Sequence, residues 1–156
     1  MWQSCKIKSK PEERQGVYKA MKIQLHAKRD GITKLGPGTR FVVWTQGCPR
    51  SCPGCMTAAS QQMNGGFSAD TKQLAEEILQ SGRHGLTIRG GEPFLQPAPL
   101  VEIAKEAKNM NLDVWSYTGF KFEELIDRKN PLYFENVELL KYIDVLVDGK
   151  FIYNKK

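Results

Sequence analysis

Phe41-Val-Val-Trp-Thr45-Gln-Gly-Cys48-Pro-Arg-Ser-Cys52-Pro-Gly-Cys55 is a buried-strand pattern running into three cysteines. The continuous apolar run Phe41–Thr45 marks a strand covered on both faces, as in a parallel sheet. The cysteines follow it with C-x3-C-x2-C spacing. Three thiolates on one short loop suit a soft metal centre. A structural zinc site closes its shell with a fourth Cys or a His. The only other cysteine is Cys5, in a polar N-terminal stretch, and the only histidines are His26 and His84. An iron–sulfur cluster usually takes four thiolates, so three leave one iron open to a ligand. The spacing favours such a cluster. Zinc completed by a remote residue, or plain buried thiols, are the other readings. Disulfides are not expected, because Met1-Trp-Gln-Ser-Cys5-Lys-Ile-Lys does not open like a secretory leader and a cytosolic chain keeps its thiols reduced.

Outward from this loop, strands alternate with helices. Met21–Ala27 alternates apolar and polar residues, as a half-buried strand does. Ser68 and Asp70 open a helix whose Leu74 and Ile78 share a face, and Gly82 closes it. Gly85–Arg89 reads as a strand, and Pro97 and Pro99 begin a second helix carrying Leu100, Ile103, Ala104 and Ala107. Leu112–Tyr117 is a strand. Short helices follow around Phe122–Ile126 and, after Pro131, around Val137–Leu140. Ile143–Val147 is the last strand. This order implies βαβ units and a mainly parallel sheet. No internal repeat or low-complexity segment interrupts it.

A chain of 156 residues fits one domain, expected over 21–156 after a polar extension over 1–20. No segment approaches the ~20 apolar residues of a membrane span. The net charge of +6 comes from scattered Lys and Arg. It reads first as a solvated basic surface, next as steering toward an acidic protein, and last as nucleic-acid binding, for which no motif is present.

Ligands of parallel α/β sheets gather at the carboxyl ends of the strands. Here those ends carry the cysteine loop, Gly90-Gly91-Glu92-Pro93, Tyr117-Thr118-Gly119 and Asp148-Gly149-Lys150. Glycines at 90 and 91 would let backbone approach a ligand closely, and Glu92 could accept from an ammonium group.

C-x3-C-x2-C after one strand and Gly-Gly-Glu-Pro after the next resemble the radical S-adenosylmethionine (SAM) enzymes. Gly36-Pro-Gly-Thr-Arg40, Thr45-Gln-Gly-Cys48, Cys52-Pro-Gly-Cys55, Asn64-Gly-Gly66, Tyr117-Thr-Gly-Phe120 and Ile143–Phe151 resemble the anaerobic ribonucleoside-triphosphate reductase activating proteins. The resemblance implies a partial (βα) barrel, open on one side, with its first strand pair antiparallel. It implies a 4Fe–4S cluster on Cys48, Cys52 and Cys55, with SAM on the fourth iron. Gly54, Cys55, Met56, Gly90, Gly91 and Glu92 would line the methionine end. The implied chemistry is reductive cleavage of SAM to a 5′-deoxyadenosyl radical, which takes hydrogen from a glycine of anaerobic ribonucleotide reductase. Flavodoxin or ferredoxin would supply the electron, in the cytoplasm. Many radical SAM enzymes carry an aromatic residue just before the third cysteine; here it is Gly54, as is common in the activase branch. The family also runs on past the Asp-Gly-Lys-Phe segment, so a shortened C-terminus is expected. Two other functions fit the residues: a radical SAM enzyme acting on a small molecule or peptide, and a non-catalytic metal-binding module.

Overall fold

The computed structural model describes residues 19–152. Most of the expected N-terminal extension therefore lies outside the described residues. Six strands form one sheet: β1 (Lys22–Ile32), β2 (Arg40–Thr45), β3 (Phe67–Asp70), β4 (Gly85–Gly90), β5 (Asp113–Tyr117) and β6 (Val145–Val147). Their order across the sheet is β3-β1-β2-β4-β5-β6. The pairs β2–β4, β4–β5 and β5–β6 are parallel, whereas β1 runs antiparallel to both β2 and β3. The sheet is thus mixed and mostly parallel, and its first pair is antiparallel as expected.

Four helices complete the fold: α1 (Thr71–Ser81), α2 (Pro97–Asn109), α3 (Phe122–Leu125) and α4 (Tyr133–Leu140). In the parallel register, Phe41 and Val43 share a sheet face with Leu86, Ile88 and Val114. All five join Leu74, Ile78, Leu100, Ile103 and Leu139 of the helices in one buried core. Each fully buried Leu or Ile there contributes roughly 1.5–3 kcal/mol.

The opposite face is polar and holds Arg40, Thr87, Arg89, Asp113, Trp115 and Tyr117. Arg40 is fully buried. It donates to Thr87 Oγ1 (2.6 Å), Pro37 O (3.0 Å), Leu86 O (2.9 Å) and both Asp113 carboxylate oxygens (3.1 and 2.9 Å). Its guanidinium also lies 5.7 Å from the Trp115 ring centre. A cation this deep persists only when its donors are met. The network ties the Gly36–Arg40 segment across β2, β4 and β5 at the strand starts, away from the cysteines.

Two local readings are corrected. Ser68 does not cap α1, because Phe67–Asp70 is an edge strand paired with β1 through Lys22–Leu25. Asp70 is the cap, accepting from Lys72 N (2.9 Å) and Gln73 N (3.2 Å). The strand begun at Met21 also runs on to Ile32, past the Asp30-Gly31 turn signal, with two register shifts against β2. The helix end at Gly82 stands as read, with φ 64° in the left-handed region that glycine tolerates.

Candidate active site

The strand ends β2, β4, β5 and β6 meet around a cavity of about 510 Å3. Cys48, Cys52 and Cys55 line it, with Met56, Arg89, Gly90, Gly91 and Glu92. A second arc of its wall comes from Tyr117–Gly119 and Asp148–Ile152. All the site residues expected from sequence except Gly54 therefore border one space. Gly54 sits in the same loop at φ 69°. There it provides the left-handed turn that brings Cys55 back toward Cys52.

The cysteine loop is braced from behind. Gly47 N donates to Ser60 O (2.7 Å) and Cys48 N to Gln61 O (3.1 Å), so the loop closes on the Ala58–Gln61 turn. The buried Gln46 amide donates to Gln62 O (2.6 Å). Gln96 reaches Gln46 O (3.2 Å) and also Gln24 O (2.9 Å), linking the loop to β1. Arg50, between the first two cysteines, lies 4.6 Å from the Phe120 ring centre and 3.4 Å from Glu124 Oε2. The loop is thereby pinned to the segment after β5.

Cys48, Cys52 and Cys55 are all half-buried free thiols. Burial pushes the Cys48 thiol up, partly offset by the Arg50 backbone, with Glu92 and the other two thiols adding repulsion. A bound cationic centre reverses that balance, since thiolates are the ligating form. Among the described residues, no three His, Cys, Asp or Glu groups converge tightly enough for one metal ion. A zinc ion needs that convergence. A 4Fe–4S cluster does not, because each thiolate holds a different iron. Three separated thiols around a roomy cavity therefore fit the cluster better than zinc.

The glycines and Glu92 also have partners within the fold. A Cβ on Gly90 would strike the Thr45 backbone, and one on Gly91 would strike the Gly47 carbonyl and stand 2.8 Å from Ser60 O. These glycines admit the cysteine-loop stem. Gly91 N donates to Thr45 O and Glu92 N to Gly47 O, each at 2.8 Å. The Glu92 side chain is fully buried. Its Oε1 accepts from Phe94 N (3.0 Å) and Thr118 Oγ1 (2.7 Å), and its Oε2 from Gly119 N (2.8 Å). Both oxygens are thus engaged by protein donors, and Glu92 ties the β4 turn to the β5 turn. Burial raises its pKa, with the Thr118, Phe94 and Gly119 hydrogen bonds pulling the other way.

The sequence reading gave no role to Gln46, Arg50 or Arg89. A strand position could have exposed Arg89, which lies on the same sheet face as Tyr117. Nothing local marks the other two.

A mostly parallel sheet, with three cluster-suited thiols and a Gly-Gly-Glu turn at its strand ends, defines an iron–sulfur protein of the radical SAM class. A family model described as "4Fe-4S single cluster domain" matches residues 34–156. The chain is 36% identical over 124 residues to the anaerobic ribonucleoside-triphosphate reductase-activating protein of Enterobacteria phage T4, covering 74% of this chain and 73% of that protein. It is 33% identical over 132 residues to the protein so named in Escherichia coli K12, covering 78% and 80%. The crystal structure of QueE from Escherichia coli shares the fold, with a TM-score of 0.52 and 15% identity over 63% of this chain and 52% of that one. The chain belongs to the family of anaerobic ribonucleoside-triphosphate reductase-activating proteins.

Proposed function

We infer that this chain is a radical SAM activase, an enzyme that places a glycyl radical on an anaerobic ribonucleotide reductase. The observation that carries the reading is the meeting of Cys48, Cys52 and Cys55 with the Gly90–Glu92 turn around one cavity, in a chain of this family. When bound, the reduced 4Fe–4S cluster supplies the electron that cleaves SAM, and the resulting 5′-deoxyadenosyl radical takes hydrogen from a glycine Cα. The chain's own residues hold and enclose. Cys48, Cys52 and Cys55 present thiolates. Gly54, Cys55 and Met56 border the methionine end from the cluster loop. Gly90 and Gly91 border it from β4, with the Glu92 carboxylate fixed behind them. The cavity's size is in the range of small-molecule sites.

The fold reading that goes with this function is a partial (βα) barrel over 21–156, with the polar sheet face as its interior. A barrel left open on one side admits a loop of a large substrate. Flavodoxin or ferredoxin is the proposed electron donor. A cytoplasmic setting suits both, since it keeps the three thiols reduced. Among the described residues, no helix is long and apolar enough to cross a membrane. The +6 charge favours an acidic partner, with an association rate that falls as salt rises.

The test combines the cluster-loaded protein, SAM, a strong reductant and the cognate reductase under anaerobic conditions. A glycyl doublet in electron paramagnetic resonance supports the activase reading. Steady 5′-deoxyadenosine formation without a doublet moves the substrate to another molecule. No SAM cleavage at all leaves only the metal-binding module.

A further inference from the structure

Arg89 is a half-buried cation of the cavity wall with no ion pair among the described residues. It occupies the next-to-last position of β4, on the polar face with Tyr117, and its guanidinium lies 5.4 Å from that ring centre. Its Nε is buried and has no hydrogen-bond partner among the described residues. The ion pairs among those residues leave Arg89 out. Arg50, Glu92 and Asp148 each have partners, although the Arg50 Nε is also buried without one. Arg50 stacks on Phe120 and meets Glu124, Glu92 is held by three donors, and Asp148 accepts from Phe122 N (2.7 Å). Lys150 is exposed at the mouth.

An unanswered guanidinium in a half-buried wall is costly unless an anion completes it. Burial pulls the Arg89 pKa down, with the Tyr117 and Cys55 charges opposing. A planar guanidinium presents a fork of donors matched to a carboxylate. Arg89 and Tyr117 both line the cavity.

We propose that Arg89 is the receptor for the α-carboxylate of the sulfonium cofactor, fixing that end of the ligand beside the cysteine loop. This rests on the cavity being a SAM site. SAM offers one anionic group, its carboxylate, and the remaining charges of its methionine end are an ammonium and a sulfonium. The carboxylate has lone pairs enough to face a metal on one side and Arg89 on the other. Arg89 is thus a positioning residue. It sets where the sulfonium lies without touching the bond that breaks.

The experiment is a residue-by-ligand-group cycle on the full, cluster-loaded chain. Wild type, Arg89→Met and Arg89→Lys are titrated calorimetrically with SAM and with decarboxylated SAM. The expected result is that Arg89→Met weakens SAM roughly 10- to 100-fold and leaves the decarboxylated ligand within about twofold, as no charged contact is lost. Arg89→Lys recovers part of the SAM affinity, because it keeps the charge and loses the fork. Iron content and the cofactor-free cluster resonance stay as in wild type. Equal losses for both ligands, or a changed cofactor-free resonance, overturn the proposal, since Arg89 would then support the fold or the cluster. Unchanged SAM affinity overturns it too. A wild type that binds neither ligand defeats the SAM-site reading itself, an outcome separate from all the others.

Discussion

Glu92→Gln probes the link between the β4 and β5 turns with almost no change of shape. In the wild type, Oε1 serves Phe94 N and Thr118 Oγ1 while Oε2 serves Gly119 N. A glutamine has one acceptor oxygen. Placed at the Oε1 position, it keeps two of the three bonds and turns its amide donors on the Gly119 N–H. One charge-assisted bond is lost and one buried donor is orphaned, which costs about 2–4 kcal/mol. Removing a buried charge returns part of that, because desolvation opposes the ionised form. The expected net loss near neutral pH is about 1–2 kcal/mol, or roughly 2–8 °C in Tm for a chain of this size. The pH dependence identifies the cause. Burial raises the Glu92 pKa in the folded state, so the folded chain retains a proton that the unfolded chain has already released. This contribution to stability is full below the unfolded pKa and is lost as pH rises through the folded one. Glutamine carries no such proton. The stability advantage of wild type over Glu92→Gln should therefore shrink as pH rises from the ordinary glutamate range upward. Anaerobic urea unfolding of both proteins at several pH values reads the difference directly. A gap that is constant or widens with pH, or a variant as stable as wild type, would refute the argument.

Cys48→Ala, Cys52→Ala and Cys55→Ala should each abolish iron uptake on anaerobic reconstitution, and Cys5→Ala should leave it intact; iron analysis checks this, and stoichiometric zinc in place of iron would overturn the cluster assignment. Gly91→Ala should lower iron content as well as SAM affinity, because its Cβ falls on the Gly47 carbonyl. Overpacking of that kind costs about 1–3 kcal/mol; a variant with full iron and weak SAM binding would show that Gly91 faces the ligand instead. Arg40→Met should destabilise the fold by about 1–3 kcal/mol in urea, since it strips Thr87 Oγ1 and the Leu86 carbonyl of a fully buried donor while the half-exposed Asp113 turns to solvent.

What the sequence made legible was chemistry tied to strand ends and helix punctuation tied to Gly and Pro. Cys48, Cys52, Cys55 and the Gly90-Gly91-Glu92 turn stood out because parallel strands deliver their loops to one rim. Gly82, Pro97 and Pro99 fixed helix ends through backbone limits that hold in any context. The misses depend on partners distant in the chain. Phe67–Asp70 is a strand only because β1 lies beside it, and no four-residue pattern announces that. Glu92 faced inward because Thr118 and Gly119 arrive from β5. Gly90 and Gly91 read correctly as close-approach positions, but the approaching backbone belongs to Thr45–Gly47. Arg50 gave no signal and Arg89 only its strand position, because an arginine's direction is set by register and by what it finds there.

The Arg40 network has a kinetic corollary. It seals the strand-start end of the polar face, and Leu35, whose carbonyl accepts from Thr87 Oγ1 (2.8 Å), floors the cavity. Traffic therefore reaches the cavity from its strand-end side, beside the cysteines. A small reactant has to pass that side before a protein substrate seats there, and spent fragments leave only after that protein lifts away. The expected kinetics are ordered, with an excess of the protein substrate slowing the next cycle.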